Sequence, residues 1–239
     1  MIRNKVVSII PARGGSKRIQ NKNIKLFSGQ PIISYSIRAA HETGLFDRII
    51  VSTDSLEIAA IAKEYGAEVP FLRPAELAND FAGTAEVLCH AIEYLAKKAI
   101  QPEFICCIYA TAPFIQSVYL KEGYDRLISS GATSVYSVTT YPYSICRSLK
   151  ITEKGHIEMI WPEYGNFRSQ DLPKVYHDAG QFYWINTNKF MKVKTLYAKD
   201  SLPVILPRYL VQDIDTEEDW ETAERMYVAV KTKISSRSK

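Results

Sequence analysis

Short apolar runs alternate along this chain with segments whose apolar residues recur every three to four positions. Lys5 to Ile10 reads as a buried strand. A polar, glycine-containing loop from Ala12 to Lys25 follows it. Pro31 opens a helical stretch with Ile33, Ile37 and Ala40 on one face, closed by Gly44. Arg48 to Thr53 is the next strand, and Ser55 caps a helix ending at Gly66. The pattern predicts a helix over Thr84 to Lys98, a strand over Phe104 to Tyr109, a helix around Leu120 to Ile128 and a strand over Ser134 to Val138. Val204 to Leu206 is the last strand. Near-continuous apolar strands separated by amphipathic helices imply an α/β fold, a mostly parallel sheet with helices on both faces. Ligands of such sheets sit beyond the carboxyl ends of the strands. Function is therefore to be sought after Ile10, Val51 and Tyr109 and near the last strand.

The rhythm changes from about Tyr141. Nine aromatic residues stand between 141 and 184, among them Trp161, Tyr164, Phe167 and Trp184. Leu149 to Ile151 and Ile157 to Ile160 flank Lys154-Gly155 as a hairpin would. This stretch is either an interface or substrate lid, or a satellite hydrophobic cluster under a long excursion. The expected organisation is a nucleotide-binding α/β domain of residues 1–139 and 188–230, an inserted sub-domain of residues 140–187, and a basic, disordered tail of residues 231–239.

Composition narrows the classes. A chain of 239 residues, 46% hydrophobic and 23% charged, is an ordinary globular protein with enough apolar material for a full core. The formal net charge of +4 is matched by Lys231, Lys233, Arg237 and Lys239 near the end, so the body is neutral and nucleic-acid binding is not expected. Cys89, Cys106, Cys107 and Cys146 have no C-x-x-C spacing, which leaves zinc and dithiol chemistry without support and fits a reducing, cytoplasmic setting. The start of the chain lacks a signal-peptide core, and Pro113 interrupts the longest uncharged stretch, so no membrane span is expected. His41, His90, His156 and His177 show no metal spacing.

The first strand empties into a loop holding Gly14, Gly15 and Ser16 with the cations Arg13, Lys17, Arg18 and Lys22. Two glycines allow close backbone approach, and the cations match an anion such as a triphosphate. A solvated basic turn is the plainer alternative. The dinucleotide fingerprint G-x-G-x-x-G and the P-loop G-x-x-x-x-G-K-[ST] are both absent. Asp213 and Asp215 flank Ile214, so on extended backbone both carboxylates share one face while Ile214 enters the core. Two such groups can hold Mg²⁺. They also precede Thr216-Glu-Glu-Asp219, a capping box for a last helix, and both readings can hold together.

The segments Ile10-Pro-Ala-Arg-Gly-Gly-Ser-Lys-Arg18, Asn21-Lys-Asn-Ile24, Val51-Ser-Thr-Asp54, Tyr65 to Pro74, Arg168-Ser-Gln-Asp171 and Asp213-Ile-Asp215 together resemble the cytidylyltransferases that activate nine-carbon keto-acid sugars. The resemblance covers nearly the whole chain. It implies a Rossmann-like fold, CTP and a nine-carbon sugar acid as substrates, Mg²⁺ as cofactor, and a homodimer built on the aromatic sub-domain, each protomer completing its partner's site. It places Arg13, Gly14, Gly15, Ser16, Lys17, Lys22, Asn23, Arg73 and Thr84 on the nucleotide, with an exposed surface arginine as the alternative for Arg73. Tyr109, Thr111, Arg168, Gln170 and Asp171 fall on the sugar, Asp213 and Asp215 on the metal, and Arg13, Lys22 and Arg168 are the implied catalytic residues. Relatives carry a glutamine and a serine where this chain has Tyr109 and Ala112. Tyr65 to Pro74, Asp178 to Trp184 and Val211 to Thr216 are most similar to the branch acting on pseudaminic acid, and the departure, which is expected to make the pocket less polar at both positions, suits that methyl-bearing sugar. Sialic or legionaminic acid is the alternative substrate, and a non-catalytic nucleotide-sugar sensor is the alternative from another class.

Overall fold

The structure is a computed structural model describing residues 5–237, with side chains through residue 231. Strand β1 (Val6–Pro11) leads through the polar loop to a small hairpin, β2 (Leu26–Phe27) and β3 (Gln30–Pro31). Ser28 and Gly29 both have positive φ there, the conformation that a two-residue turn requires. Helix α1 (Ile33–Thr43) follows and ends on Gly44 at φ +64°. Next come β4 (Arg48–Ser52), α2 (Leu56–Glu64), α3 (Thr84–Lys97), β5 (Phe104–Ile108), α4 (Ser117–Ser130) and β6 (Ser134–Thr140). Ser55 caps α2 by accepting from the Ile58 N–H at 3.3 Å, as the sequence indicates. Beyond β6 lie the hairpin β7 (Leu149–Ile151) and β8 (Ile157–Met159), then β9 (Tyr176–Asn186), α5 (Thr187–Val193), β10 (Leu202–Ile205) and α6 (Glu217–Arg237).

The main sheet has the order β10-β6-β9-β5-β1-β4. All its strands are parallel except β9, which runs antiparallel between β5 and β6. Residues 176–186 therefore belong to the centre of the main sheet, and the expected inserted sub-domain contracts to the excursion before them. The predicted hairpin is present, with Leu149 opposite Met159 and Ile151 opposite Ile157. The disordered tail expected from residue 231 begins instead as helix, since α6 continues to Arg237, and residues 238–239 lie outside the described residues.

Period-two alternation explains why both faces are covered. Cys106 and Ile108 pack with Ile33 and Ile37 of α1 and Leu120 and Leu127 of α4. Ile105 and Cys107 face the other way, against Leu88, Ala91, Ile92 and Leu95 of α3. The adjacent cysteines thus lie on opposite faces, and all four are free. A third cluster joins Ile19, Phe27, Tyr35, Phe114, Ile214 and Trp220, and it binds the first loop to the chain entering α6. Among the described residues no helix is long and apolar enough to cross a membrane.

Candidate active site

A cavity of about 520 Å³ opens at the carboxyl ends of the neighbouring strands β1 and β5, whose connections lead to opposite sides of the sheet, β1 to β4 and β5 to β6. Its lining includes Arg13, Ser16, Lys17, Arg18, Lys22 and Asn23 from the first loop, Arg73, Asp80, Thr84 and Val87 from the approach to α3, and Tyr109, Ala110 and Thr111 from the end of β5. The sequence reading therefore converges in space for Arg13, Ser16, Lys17, Lys22, Asn23, Arg73, Thr84, Tyr109 and Thr111.

The first loop is held by its own polar groups. The Gly14 N–H donates to Asp54 Oδ1 at 2.8 Å, the Ser16 N–H donates to the Gly14 carbonyl at 3.0 Å, and Asn23 Nδ2 donates to the Arg13 carbonyl at 2.9 Å. A Cβ on Gly14 would lie 3.0 Å from Ser55 Cβ, so the loop passes close to the start of α2. Gly14 and Gly15 shape the loop but do not line the cavity, and two of the backbone donors expected to cradle an anion are already engaged. The anion-binding capacity of the loop rests on its cations.

Those cations have partners that the sequence reading missed. Asp80 accepts from Arg13 Nη1 at 2.7 Å and Lys17 Nζ at 2.6 Å, contacts that hold its carboxyl below the usual range. Arg18 Nη1 lies 2.9 Å from Asp215 Oδ2, and Lys22 Nζ lies 3.2 Å from Asp215 Oδ1 while also donating to the Ile214 carbonyl. Asp80 stands in a polar segment without period, so only the tertiary fold reveals that it faces residues more than sixty positions earlier.

Arg73 is buried, which removes the exposed-arginine alternative. Its Nε donates to Ser52 Oγ at 3.1 Å and its Nη2 to the Ser52 carbonyl, so it braces the end of β4 as a cavity wall. Desolvation lowers its pKa, with Asp54 opposing. On the opposite wall the Tyr109 and Thr84 hydroxyls are 2.9 Å apart. Burial raises the Tyr109 phenol and keeps it neutral. Ala112 is packed in the core and absent from the lining, so the expected change of pocket polarity at that position does not occur.

Two groups stand apart from the cavity lining. Ile214 is buried as anticipated, and Asp213 and Asp215 flank it. The Asp213 carboxyl is raised by desolvation and then by the charge of Asp215. Asp219 accepts from the Thr216 N–H at 2.8 Å while its own N–H donates to Thr216 Oγ1 at 3.2 Å, so the helix cap is present beside the carboxylate pair. Arg168, Gln170 and Asp171 lie on an exposed 3-10 turn, Ser169–Asp171 and its cap, where Arg168 Nε meets Asp171 Oδ2 at 2.8 Å. The fold of a single chain does not bring them into the cavity.

Comparison with known proteins gives this geometry a family. A family model described as cytidylyltransferase matches residues 7–201. A pseudaminic acid cytidylyltransferase of Campylobacter jejuni is 40% identical over 223 residues, covering 93% of this chain and 96% of the relative. A CMP-N,N'-diacetyllegionaminic acid synthase of Legionella pneumophila is 31% identical, covering 93% and 96%. A solved CMP:2-keto-3-deoxy-manno-octonic acid synthetase complexed with CTP superposes with a TM-score of 0.69 at 13% identity, covering 94% of this chain and 99% of the other, and shares the fold. With a family model spanning most of the chain and relatives aligned almost end to end, the chain belongs to the cytidylyltransferase family.

Proposed function

We propose that this cytidylyltransferase joins CTP to a nine-carbon keto-acid sugar, pseudaminic acid, and releases pyrophosphate. The observation that carries the reading is the cavity itself, with Arg13, Lys17 and Lys22 on one wall and Thr84, Tyr109 and Thr111 on the other. The anomeric hydroxyl attacks the α-phosphorus and gives up its proton to water, a new P–O bond forms, and the bond from the α-phosphorus to the bridging oxygen breaks, its electron pair leaving with pyrophosphate. Such a transfer asks the protein mainly for alignment and charge stabilisation. Arg13 and Lys22 neutralise charge on the transferring and leaving phosphates, Ser16 and Lys17 add donors, and Asn23, Arg73 and Thr84 position the nucleotide. Gly14 and Gly15 give the loop its close path.

Asp213 and Asp215 fit a divalent ion of the Mg²⁺ type. Such an ion takes one or two protein carboxylates and completes its shell with waters and substrate phosphates. Burial, and after it the charge of Asp215, raises the Asp213 carboxyl, and a cation bound between the two would favour its ionised form. When bound, the ion would polarise the phosphate oxygens.

Two observations support pseudaminic acid within the family. The Campylobacter jejuni relative named for that sugar is 40% identical, against 31% for the legionaminic acid synthase and 31% for an Escherichia coli N-acylneuraminate cytidylyltransferase. The Tyr109 ring also offers apolar area to a sugar ending in a methyl group, worth about 0.8 kcal/mol for a buried carbon. Arg168, Gln170 and Asp171 would reach a sugar acid only across a dimer, supplied by the partner subunit. The test is pyrophosphate release with CTP, Mg²⁺ and a panel of pseudaminic, legionaminic and N-acetylneuraminic acids. The highest kcat/KM should fall on pseudaminic acid. Equal efficiency across the panel would overturn the sugar assignment, and no release with any of them would overturn the transfer reaction.

A further inference from the structure

A cation cluster that grips a triphosphate also grips the pyrophosphate left after transfer, so the enzyme needs a means of letting go. We infer that Asp80 is an internal competitor for the phosphate subsite, a positioning residue that retakes Arg13 and Lys17 when the nucleotide is cleaved and thereby speeds pyrophosphate release. One carboxylate spans both cations, an oxygen to each, at 2.7 and 2.6 Å. A phosphate group bridging the same side chains would use two oxygens in the same way.

The loop that carries Asp80 is braced to keep it aimed there. Asn79 Oδ1 accepts from the N–H groups of Phe81 and Ala82 at 2.8 and 2.9 Å, and Asn79 Nδ2 donates to the Glu76 carbonyl at 2.8 Å. The Gly83 N–H donates to Glu86 at 2.8 Å, closing the loop onto α3. An anion tethered this way competes at a fixed, high effective concentration, whatever the solution contains. CTP carries more charge and also has base and ribose contacts, so it displaces the carboxylate. Pyrophosphate loses those contacts when the bond to the nucleoside breaks, and the carboxylate then competes on better terms. No covalent step is involved, only an exchange of anions at two cations.

The inference rests on Arg13 and Lys17 holding phosphate, and the test separates the two. Calorimetric titration of the full chain with CTP and with pyrophosphate, Mg²⁺ present, compares wild type with Asp80→Asn, Asp80→Glu and Arg13→Ala. Removing the competing charge should tighten both ligands about three- to tenfold, the range expected for losing partly exposed ion pairs. The inhibition constant of pyrophosphate should fall by the same factor while the KM for the sugar acid stays constant. Asp80→Glu, which restores the charge, should return toward wild type. Weaker or unchanged binding by Asp80→Asn, with Arg13→Ala still weakening both ligands, would show that Asp80 merely orients its partners and would overturn the inference alone. If Arg13→Ala leaves both affinities unchanged, the phosphate reading fails and the inference fails with it.

Discussion

Tyr109, the side chain proposed to set substrate choice, sits on a rigid mount. Its N–H donates to the Gln181 carbonyl at 2.9 Å and its carbonyl accepts from Ser36 Oγ at 2.7 Å, so the backbone is fixed from both sides. The ring sits 5.3 Å from that of Tyr183, and the hydroxyl meets Thr84. A neutral phenol held this way gives the cavity one apolar surface and one polar point. Tyr109→Gln should narrow the kcat/KM preference for pseudaminic over N-acetylneuraminic acid by roughly fourfold for the methyl contact alone. An unchanged ratio would remove Tyr109 from sugar choice, and Ala112, buried behind the wall, is no substitute for it. At this scale the sequence exposed the cations, because glycines and basic residues clustered after a buried strand are a local signal. The loop's carboxylate partners, Asp80 on the cations and Asp54 on the Gly14 N–H, were not legible, because no local period connects a loop at the end of β1 to residues forty and more positions away.

At the scale of elements, the parallel strands and their helices could be read from periodicity and caps, while β9 could not. Its Phe182-Tyr183-Trp184 run looked like part of an aromatic excursion because strand and excursion share one composition. The register shift between Tyr136 and Val138, and Gly180 at φ +61°, also interrupt the regular ladder that alternation would predict. Its central place is nonetheless enforced by packing. Trp184 Nε1 donates to the Leu120 carbonyl at 3.0 Å, and its ring stacks on Phe46 at 5.3 Å. Helix α4 approaches so closely that a Cβ on Gly123 would stand 2.7 Å from Trp184 Cδ1 and 3.1 Å from Phe182 Cε2. Both rings are fully buried and cannot swing away. Gly123→Ala gains about 1 kcal/mol of helix propensity yet should destabilise the chain, because overpacking a core costs about 1–3 kcal/mol. Urea unfolding of the two proteins is the measurement, and a stabilised alanine variant would mean that α4 yields more easily than this contact allows.

At the scale of the molecule, the excursion between β6 and β9 poses the question of what covers it. In the hairpin, Leu149, Ile151, Ile157 and Met159 share one face, while Lys150 and Glu158 pair at 3.4 Å on the other. The apolar face is not buried within the chain: Ile151 is 78% and Ile157 68% exposed. A two-stranded hairpin in water is marginal alone, and a contiguous apolar surface on a soluble protein marks an interaction site. A second copy of the chain is the proposed cover, because the same excursion carries Arg168, Gln170 and Asp171, which the single chain leaves outside its cavity. An isologous contact through this face would bury the hairpin of both protomers at once. Sedimentation at micromolar concentration should show a dimer, and Ile151→Asp combined with Ile157→Asp should give a folded monomer. If the partner supplies the arginine that grips the sugar carboxylate, the monomer should bind CTP as the wild type does while its kcat/KM for the sugar acid falls about 10²-fold or more, the cost of losing a charged contact to the substrate. A monomer that keeps full activity would restrict the excursion to a structural role and return the sugar carboxylate to cations within the one chain.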